Sequence, residues 1–245
     1  MKAAYDLHIH SCLSPCADDD MTPANVAGMA SVCGLAFAAL TDHNSCGNCR
    51  AFFEACRAYP GLVPVAGAEV TTAEEIHLLG LFPSLEAAEG FEREVLGPAR
   101  AKVPNRRNVF GHQWLMDAED TRLGEVEELL VAATGLGLEE AAAAIRARGG
   151  AAVPAHVDRE SNGLIAVLGD VPETPDFPVV EFRWGERVED YKARYPRLAG
   201  KRVVCSSDAH GLAQIQEAVH EIEVEEPTAA ALVAALRGQG LRQGG

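Results

Sequence analysis

The chain has 245 residues, of which 21 are basic and 36 acidic, and its formal net charge at pH 7 is −15. Nearly half of the residues (48%) are apolar, which is enough for a large core. This composition excludes a disordered protein, a collagen-like repeat and a small disulfide-stapled fold. The excess of acidic residues argues against binding of long nucleic acids, because phosphate backbones recruit lysine and arginine. Small anionic substrates stay compatible with the charge, since bound cations can invert the local field.

No run approaches the roughly 20 consecutive apolar residues that a membrane span requires. The first residues, Met1–His8, contain no apolar stretch typical of a secretion signal. The seven cysteines are an odd number and are interpreted as reduced thiols, so we expect a cytoplasmic protein with no membrane partner. Cys46 and Cys49 form a CxxC pair, which Cys12 and Cys16 could complete as a zinc site, but ordinary buried thiols are the favoured interpretation.

Eight short apolar runs predict β-strands: Ala3–Leu7, Ala36–Thr41, Leu62–Ala68, Ile76–Phe82, Ala151–Ala155, Val179–Phe182, Arg202–Cys205 and Glu221–Val224. Several are almost continuously apolar, as is typical of strands buried on both faces. The stretches between them predict helices at Thr22–Cys33, Asn48–Tyr59, Ser84–Leu96, Arg122–Thr134, Leu138–Arg148, Leu212–Glu217 and Thr228–Arg237.

Alternation of strands and helices predicts parallel strands covered by helices. At this length, a barrel formed by residues 1–245 as one domain is favoured over an open sheet. The segment 97–120 is the least regular and contains Arg106, Arg107 and His112. We interpret it as a loop or insertion near the site.

Histidine and carboxylate side chains recur where the predicted strands end, or, for His77, where one begins. They are His8, His10, Asp42, His43, Glu69, His77, His156, Asp208 and His210. Residues i and i+2 of an extended chain point the same way, so His8 and His10 share one side. The ends of parallel barrel strands also lie on one face. Carboxylates so close together would repel or take up protons unless cations balanced them. The pattern therefore predicts a metal cluster at the C-terminal ends of the strands.

Four motifs resemble those of the polymerase and histidinol phosphatase (PHP) superfamily, in the same order. They are Asp6-Leu7-His8-Ile9-His10-Ser11, Thr41-Asp42-His43-Asn44, Glu69 with His77 and His156, and Ser207-Asp208-Ala209-His210. The resemblance implies a distorted (β/α)7 TIM-like barrel that holds two or three divalent metal ions. It is specific for the superfamily and not for the substrate.

Carried over by this resemblance, His8, His10, Glu69 and Asp208 would hold the first ion. Glu69 would bridge to a second ion, completed by His77 and His156, while His43 and His210 would hold a third. The last ligand of the third ion is Asp18 when counted back from Thr22-Pro23, and Cys16 when counted forward from His8; Asp18 is favoured. Asp42 precedes a ligand histidine and is expected to orient an imidazole. Imidazole and carboxylate ligands suit Zn, Mn or Fe.

The implied activity is that of a metal-dependent phosphoesterase, most simply a phosphatase acting on a small phosphomonoester through a metal-activated hydroxide. Asp208 and His210 are candidate proton donors to the leaving group. Arg159 and Arg183 are candidate substrate-binding residues, because the guanidinium group matches phosphate geometry. Arg106 and Arg107 are weaker candidates for the same role, and Trp114 or Trp184 could stack on a nucleobase.

Three alternatives remain open at this point. The first is a phosphodiesterase or exonuclease-like activity on nucleotides or nucleic-acid ends. The second is a binding module in which the metals only stabilise the fold. The third is metal-assisted hydrolysis of a bond other than a phosphate ester, as in amidohydrolase barrels.

Overall fold

A computed structural model describes residues 1–238, so the predicted domain end at residue 245 lies outside the described part of the chain. The strands are β1 (Lys2–Ile9), β2 (Phe37–Leu40), β3 (Val63–Thr71), β4 (His77–Phe82), β5 (Trp114–Met116), β6 (Arg122–Glu125), β7 (Ala151–Pro154), β8 (Val179–Phe182), β9 (Arg202–Cys205) and β10 (Glu221–Glu223). The α-helices are α1 (Pro23–Val32), α2 (Cys49–Cys56), α3 (Leu85–Phe91), α4 (Gly97–Ala99), α5 (Arg107–Phe110), α6 (Leu138–Ala147), α7 (Leu164–Leu168), α8 (Val188–Arg194) and α9 (Ala229–Leu236). All eight predicted strands are present.

Six strands form one curled mixed sheet in the order β10-β1-β2-β3-β4-β7. The central pairs β1–β2 and β2–β3 are parallel, whereas β4 runs antiparallel to both β3 and β7, and β10 runs antiparallel to β1. The prediction that the strands are parallel is therefore wrong for β4 and β10. The reversal of β4 places its first residue, His77, beside the end of β3, so its side chain still reaches the predicted face.

The β8–β9 pair is parallel and forms a separate two-stranded sheet. Backbone contacts join it to the large sheet beyond the ends of β7 and β9. The Val157 N–H donates to the Glu181 carbonyl oxygen at 2.8 Å, and Ile9 forms a parallel bridge with Ala209. The mixed α/β class of the prediction is confirmed, as a curled half-barrel. A complete (β/α)7 barrel is not confirmed.

Both faces of the large sheet are buried. One core lies between the sheet and helices α1, α2, α3 and α6, and the other packs the strands against one another and against α9. Leu7 belongs to the second core and Ile9 to the first, although residues two apart would share a face in a regular strand. A register shift between Asp6 and Ile9 reverses the alternation. This bulge lies immediately beside His8.

The segment 97–128, which includes the residues 97–120 singled out in the sequence, contains regular elements. A π-helical turn at Glu92–Leu96 joins α3 to α4, and β5 pairs with β6 in an antiparallel hairpin. The predicted helix Arg122–Thr134 is therefore wrong, because its first residues form β6. The hairpin lies on the loop that follows β1: Trp114 N–H donates to the Cys12 carbonyl at 2.9 Å.

Close to that contact, the backbone of Gly111 packs against the backbone of Pro15, in the loop that follows β1. Its φ angle is 96°, and a Cβ atom at this position would lie 2.5 Å from the Pro15 carbonyl oxygen. Only glycine adopts this conformation at this distance without strain.

Other helix predictions are confirmed only in part. Of the predicted helix Leu212–Glu217, only Leu212–Gln214 is helical, as a single 3₁₀ turn. Helices α7 and α8 were not predicted. In residues 1–238, no helix combines the length and the apolar character that a bilayer crossing demands.

Candidate metal centre

A single buried carboxylate lies at the centre of the predicted cluster. Glu69, on β3, has no exposed surface, and five imidazole rings surround it. The nearest nitrogens are His77 Nδ1 (2.7 Å), His43 Nδ1 (2.9 Å), His156 Nε2 (3.0 Å), His8 Nε2 (3.3 Å) and His10 Nε2 (3.4 Å). Burial acts to raise the pKa of Glu69, but the neighbouring histidines outweigh burial and hold this pKa well below its usual range. The carboxylate is therefore ionised.

These side chains reach the cluster from the ends of several strands. His8 and His10 come from β1 and the residue just beyond it, and His43 follows β2 and forms a parallel bridge with Glu69. His156 follows β7, and Asp208 follows β9. Three residues at these strand ends have positive φ angles: Asn44 (46°), His156 (29°) and Asp208 (50°). Strained backbone of this kind concentrates at functional sites and persists where the surrounding structure enforces it.

Among residues 1–238, potential ligand atoms converge in three overlapping groups: His8, His10, Glu69 and Asp208; His43, Glu69 and His77; and His10, His43 and His210. Within each group the ligand atoms lie within 4.8 Å of one another. The first group consists of the four residues that the resemblance implies for the first ion. His156 joins through its contact with Glu69 and lies 3.3 Å from His77 Nδ1.

The donor set fits divalent cations. Glu69 Oε2 and His43 Nδ1 are buried and 2.9 Å apart, yet neither has a hydrogen-bond partner. Buried polar atoms normally have a partner, and atoms that lack one call for an explanation such as an ion. Neutral imidazole and carboxylate are the ligands that Zn, Mn and Fe accept.

Asp208 connects the cluster to two arginines. Its Oδ1 lies 3.4 Å from His8 Nε2 and 3.3 Å from His10 Nε2, while its Oδ2 accepts from Arg159 (2.9 Å) and Arg183 (3.0 Å). Arg183 follows β8, and its guanidinium also donates to the Ser207 carbonyl at 2.8 Å. The structure thus places both predicted substrate-binding arginines at the edge of the cluster, facing the carboxylate oxygen that the histidines leave free.

Beside these arginines, a pocket of about 380 Å³ is lined by Arg159, Arg183, Trp184, Asp208, His210 and Gln214. The pocket therefore opens directly on the cluster. Its lining combines two cations, one carboxylate and an indole ring.

Asp42 positions the His10 ring indirectly, through Ser14. Its buried carboxylate accepts from the Ser11 N–H (2.7 Å), the Ser11 hydroxyl (2.6 Å) and the Ser14 hydroxyl (2.7 Å). Ser14 Oγ in turn lies 2.9 Å from His10 Nδ1 and accepts from the His43 N–H at 3.1 Å. Asp42 therefore holds the loop that orients His10, which leaves His10 Nε2 facing the cluster.

Glu181 is a part of the site that the sequence analysis missed. It lies on β8, is 1% exposed, and its Oε2 accepts from His8 Nδ1 at 2.9 Å and from the His156 N–H at 3.1 Å. This arrangement directs His8 Nε2 toward Glu69 and Asp208. The signal in the sequence was an acidic residue inside the apolar run Val179-Val180-Glu181-Phe182, at a position where exposure is not expected.

Neither candidate for the last ligand of the third ion, Asp18 or Cys16, belongs to the three groups of ligand atoms. Cys16 is exposed, and its thiol lies beside the rings of His210 and His43. Desolvation acts to raise the pKa of Cys16, but its hydrogen bonds with these two imidazoles outweigh desolvation and lower the pKa to about 6.

Several other residues singled out in the sequence lie apart from the cluster. His112 stacks on Trp114, with ring centroids 4.5 Å apart, and Arg107 pairs with Glu125 and Glu127. Arg106 lies over the Phe110 ring. The thiols of Cys46 and Cys49 are buried, and in the part of the chain described here they join neither Cys12 nor Cys16 in a group that could hold a metal.

The model of the PHP domain family matches residues 6–228, which include every residue of this cluster. The chain belongs to the PHP domain family. No curated protein sequence matched the chain.

Solved structures share the fold of this PHP domain. The lesion-specific endonuclease PfuEndoQ from Pyrococcus furiosus is 20% identical, with a TM-score of 0.63 over 98% of the chain. The chain spans only 57% of the length of that endonuclease. Endonuclease Q has also been crystallised with a 27-mer duplex that carries an abasic lesion at the active site.

Two further structures match over nearly their whole length. An amidohydrolase from Chromobacterium violaceum with bound sulfate is 19% identical, with a TM-score of 0.53 over 92% of this chain and 93% of its own. A protein from Bifidobacterium adolescentis described as a metal-dependent phosphoesterase is 17% identical, with a TM-score of 0.51 over 98% of each chain.

Replacement of Glu69 by Gln should remove metal from the PHP domain, because one carboxylate contributes to more than one group of ligand atoms. We expect the purified Glu69→Gln protein to retain much less metal per chain than the wild type, as measured by elemental analysis after dialysis. His220→Ala is the control, since His220 lies beside Tyr5 outside the cluster and its removal should leave the metal content unchanged. Equal losses in the two variants would contradict the assignment.

Replacement of Glu181 by Ala should weaken metal binding although Glu181 contacts no ion. Loss of such an orienting partner costs about 10–100-fold in metal affinity. The affinity can be measured by competition with a chromogenic chelator. Glu181→Gln should be milder, because an amide oxygen can still accept from both donors, and Glu186→Ala, on the turn after β8, is a control. Unchanged affinity in Glu181→Ala would show that His8 does not need this partner.

Proposed function

We propose that the protein hydrolyses a small phosphomonoester, such as a nucleotide, a sugar phosphate or a compound like histidinol phosphate. The observation that carries this proposal is the pocket in which Arg159 and Arg183 converge on Asp208 at the edge of the histidine cluster. A pocket of about 380 Å³ is at the small end of the range for ligand sites, which suits a compact substrate.

In this proposal, two or three divalent ions bind in the cluster. His8, His10, Glu69 and Asp208 would hold one ion, Glu69 with His77 and His156 would hold a second, and His43 and His210 would hold a third. Cations in such a site neutralise charge on the phosphoryl group and make water a stronger nucleophile at neutral pH. The protein contributes a fixed set of ligands, held by Asp42 and Glu181.

Arg159 and Arg183 bind the phosphate oxygens. Both guanidinium groups are about one-third exposed and already share one acceptor, Asp208 Oδ2, so their remaining donors face the pocket. Charge-assisted bonds from a forked donor set both the position and the orientation of a phosphate. Substrate binding by these residues therefore needs little rearrangement.

Asp208 and His210 line the same pocket, and the geometry favours ion binding for both over proton donation. Burial acts to raise the pKa of Asp208, but its interactions with His8 and His10 outweigh burial and hold the pKa well below its usual range. Asp208 thus has no proton to give. His210 Nδ1 lies 2.8 Å from the Asp208 carbonyl oxygen, so its proton is held there and its Nε2 is the atom available to an ion. The leaving group is left to take its proton from solvent at the pocket mouth.

A second candidate is hydrolysis of phosphodiesters in nucleotides or at nucleic-acid ends. Trp184 favours it: the ring is 37% exposed, lines the pocket and lies against the guanidinium groups of Arg183 (5.5 Å) and Arg187 (4.5 Å). An exposed indole beside cations is suited to a nucleobase. Endonuclease Q acts on lesions in nucleic acid and shares the fold, but the net charge of −15 disfavours a long duplex here.

The cytoplasm is the proposed compartment. All seven cysteines are free thiols, as expected where the redox environment is reducing.

A panel of chromogenic substrates tests the proposal. We expect p-nitrophenyl phosphate to be hydrolysed faster than bis-p-nitrophenyl phosphate, a short oligonucleotide or p-nitroacetanilide, each assayed with added Mn²⁺, Zn²⁺ or Fe²⁺. Preference for the diester or the oligonucleotide would favour the second candidate, and cleavage of the anilide would indicate an amidohydrolase. Metal-loaded protein that turns over none of them would support a binding module.

Replacement of Arg183 by Ala should lower kcat/KM for the phosphomonoester roughly 10–100-fold, because a hydrogen bond to a charged group contributes about 1.5–3 kcal/mol. Arg159→Ala should behave similarly. The matched control is Arg194→Ala, because Arg194 pairs with Asp190 on the exposed side of α8. Steady-state kinetics that showed no difference between Arg183→Ala and Arg194→Ala would contradict the role of Arg183.

A further inference from the structure

Asp158 lies two residues after His156, in the loop that follows β7, and has no exposed surface. Its carboxylate reaches the segment that follows β8, where Oδ1 accepts from the Arg183 N–H (2.9 Å) and Oδ2 accepts from the Trp184 N–H (3.1 Å). Hydrogen bonds from backbone N–H groups to an ionised carboxylate are roughly twice as strong as neutral ones. One side chain therefore fixes the path of the chain at the point where β8 ends.

The backbone carbonyl of Asp158 is held as well. It accepts from Arg187 Nη1 and from the Tyr191 hydroxyl, both at 3.2 Å. Tyr191 lies on α8, and its ring packs edge-on against Phe182, with ring centroids 5.5 Å apart. Asp158 is thus attached to the segment 183–191 through its carboxylate and through its main chain.

Three residues that line the pocket of about 380 Å³ are attached to Asp158. Arg159 follows it in the chain, and Arg183 and Trp184 donate their N–H groups to its carboxylate. The far end of the Arg183 side chain is anchored separately, because its guanidinium donates to Asp208 Oδ2 at 3.0 Å. The direction of this guanidinium therefore depends on a fixed point at each end of the residue.

We propose that Asp158 is a positioning residue for Arg183. It fixes the backbone from which the Arg183 side chain extends, so that the guanidinium faces the pocket before phosphate arrives. A binding group that is already ordered in the free protein loses less conformational entropy when the ligand binds. The inference rests on the proposed function, because it takes Arg183 to be a phosphate-binding residue.

The substitution Asp158→Asn tests this role with little change in side-chain size. An amide keeps one acceptor oxygen and replaces the other with an NH₂ donor. One of the two backbone N–H groups that Asp158 binds would then face another donor. We expect the segment after β8 to relax and the Arg183 guanidinium to lose its fixed direction.

Binding of inorganic phosphate to the full chain loaded with Mn²⁺ is the measurement, by isothermal titration calorimetry. We expect Asp158→Asn to raise the Kd for phosphate roughly tenfold in the wild-type background and less than about twofold in the Arg183→Ala background, because effects that act through one shared group are not additive. A residue that only stabilises the fold would change the Kd equally in both backgrounds, or not at all.

Two further variants complete the experiment. Asp117→Asn is the matched control, because Asp117 Oδ1 also accepts from two backbone N–H groups, in the turn between β5 and β6, and its replacement should leave the Kd unchanged. Tyr191→Phe removes only the hydroxyl that is bonded to the Asp158 carbonyl and keeps the ring. It should raise the Kd about threefold, within the range of one neutral hydrogen bond. Every variant should keep the metal content of the wild type.

The remaining outcomes separate this inference from the proposed function. An unchanged Kd in Tyr191→Phe, together with an unchanged Kd or an unfolded chain in Asp158→Asn, would overturn the inference. Equal weakening in both backgrounds would also overturn it, as would loss of metal from Asp158→Asn or the absence of phosphate binding in the wild type. The expected pattern of Kd values, in a protein that hydrolyses none of the substrates in the panel, would support the positioning role and refute the proposed function.

Discussion

One ionised carboxylate, buried inside a ring of imidazoles, is the constraint on which the rest of the structure depends. A buried charge without a partner costs several kcal/mol. The negative charge of Glu69 therefore has to be balanced by neighbouring groups that are positively charged or that bind a cation. Its five imidazole neighbours come from positions 8 to 156 of the chain. The curled sheet satisfies this requirement because the strand ends converge there.

The position of the cluster could be predicted because its residues follow short apolar strands whose length and composition are distinctive. His8 and His10 illustrate this: their spacing predicts that both rings lie on one side, and the Nε2 atoms of both rings lie within 3.4 Å of Glu69. Strand direction was predictable in principle but was missed for β4. Only five residues separate β3 from β4, and a parallel crossover requires a dozen or more. A hairpin was therefore the only connection open to them.

Other features depend on contacts that no local pattern encodes. Glu181 is an ordinary glutamate in a four-residue strand until β8 lies beside His8, 173 residues away in the chain. The segment after Arg122 has helix-like spacing, but β5 supplies a partner strand and Trp114 a surface for the guanidinium of Arg122, 4.2 Å from the indole centroid. Tertiary packing overrides local preference there. Counting along the sequence could not decide between Cys16 and Asp18, because the position of each side chain depends on the turns within this loop.

The contact between Gly111 and Pro15 connects the segment before the β5–β6 hairpin to the loop that follows β1. The β5–β6 hairpin contributes none of the clustered ligand atoms, yet its backbone rests on the loop that carries Cys16. Any larger residue at this glycine would push that loop aside and shift the rim of the cluster with it. The mouth of the centre can thus be reshaped from a distance, by altering how the hairpin sits, while every ion-binding side chain stays the same.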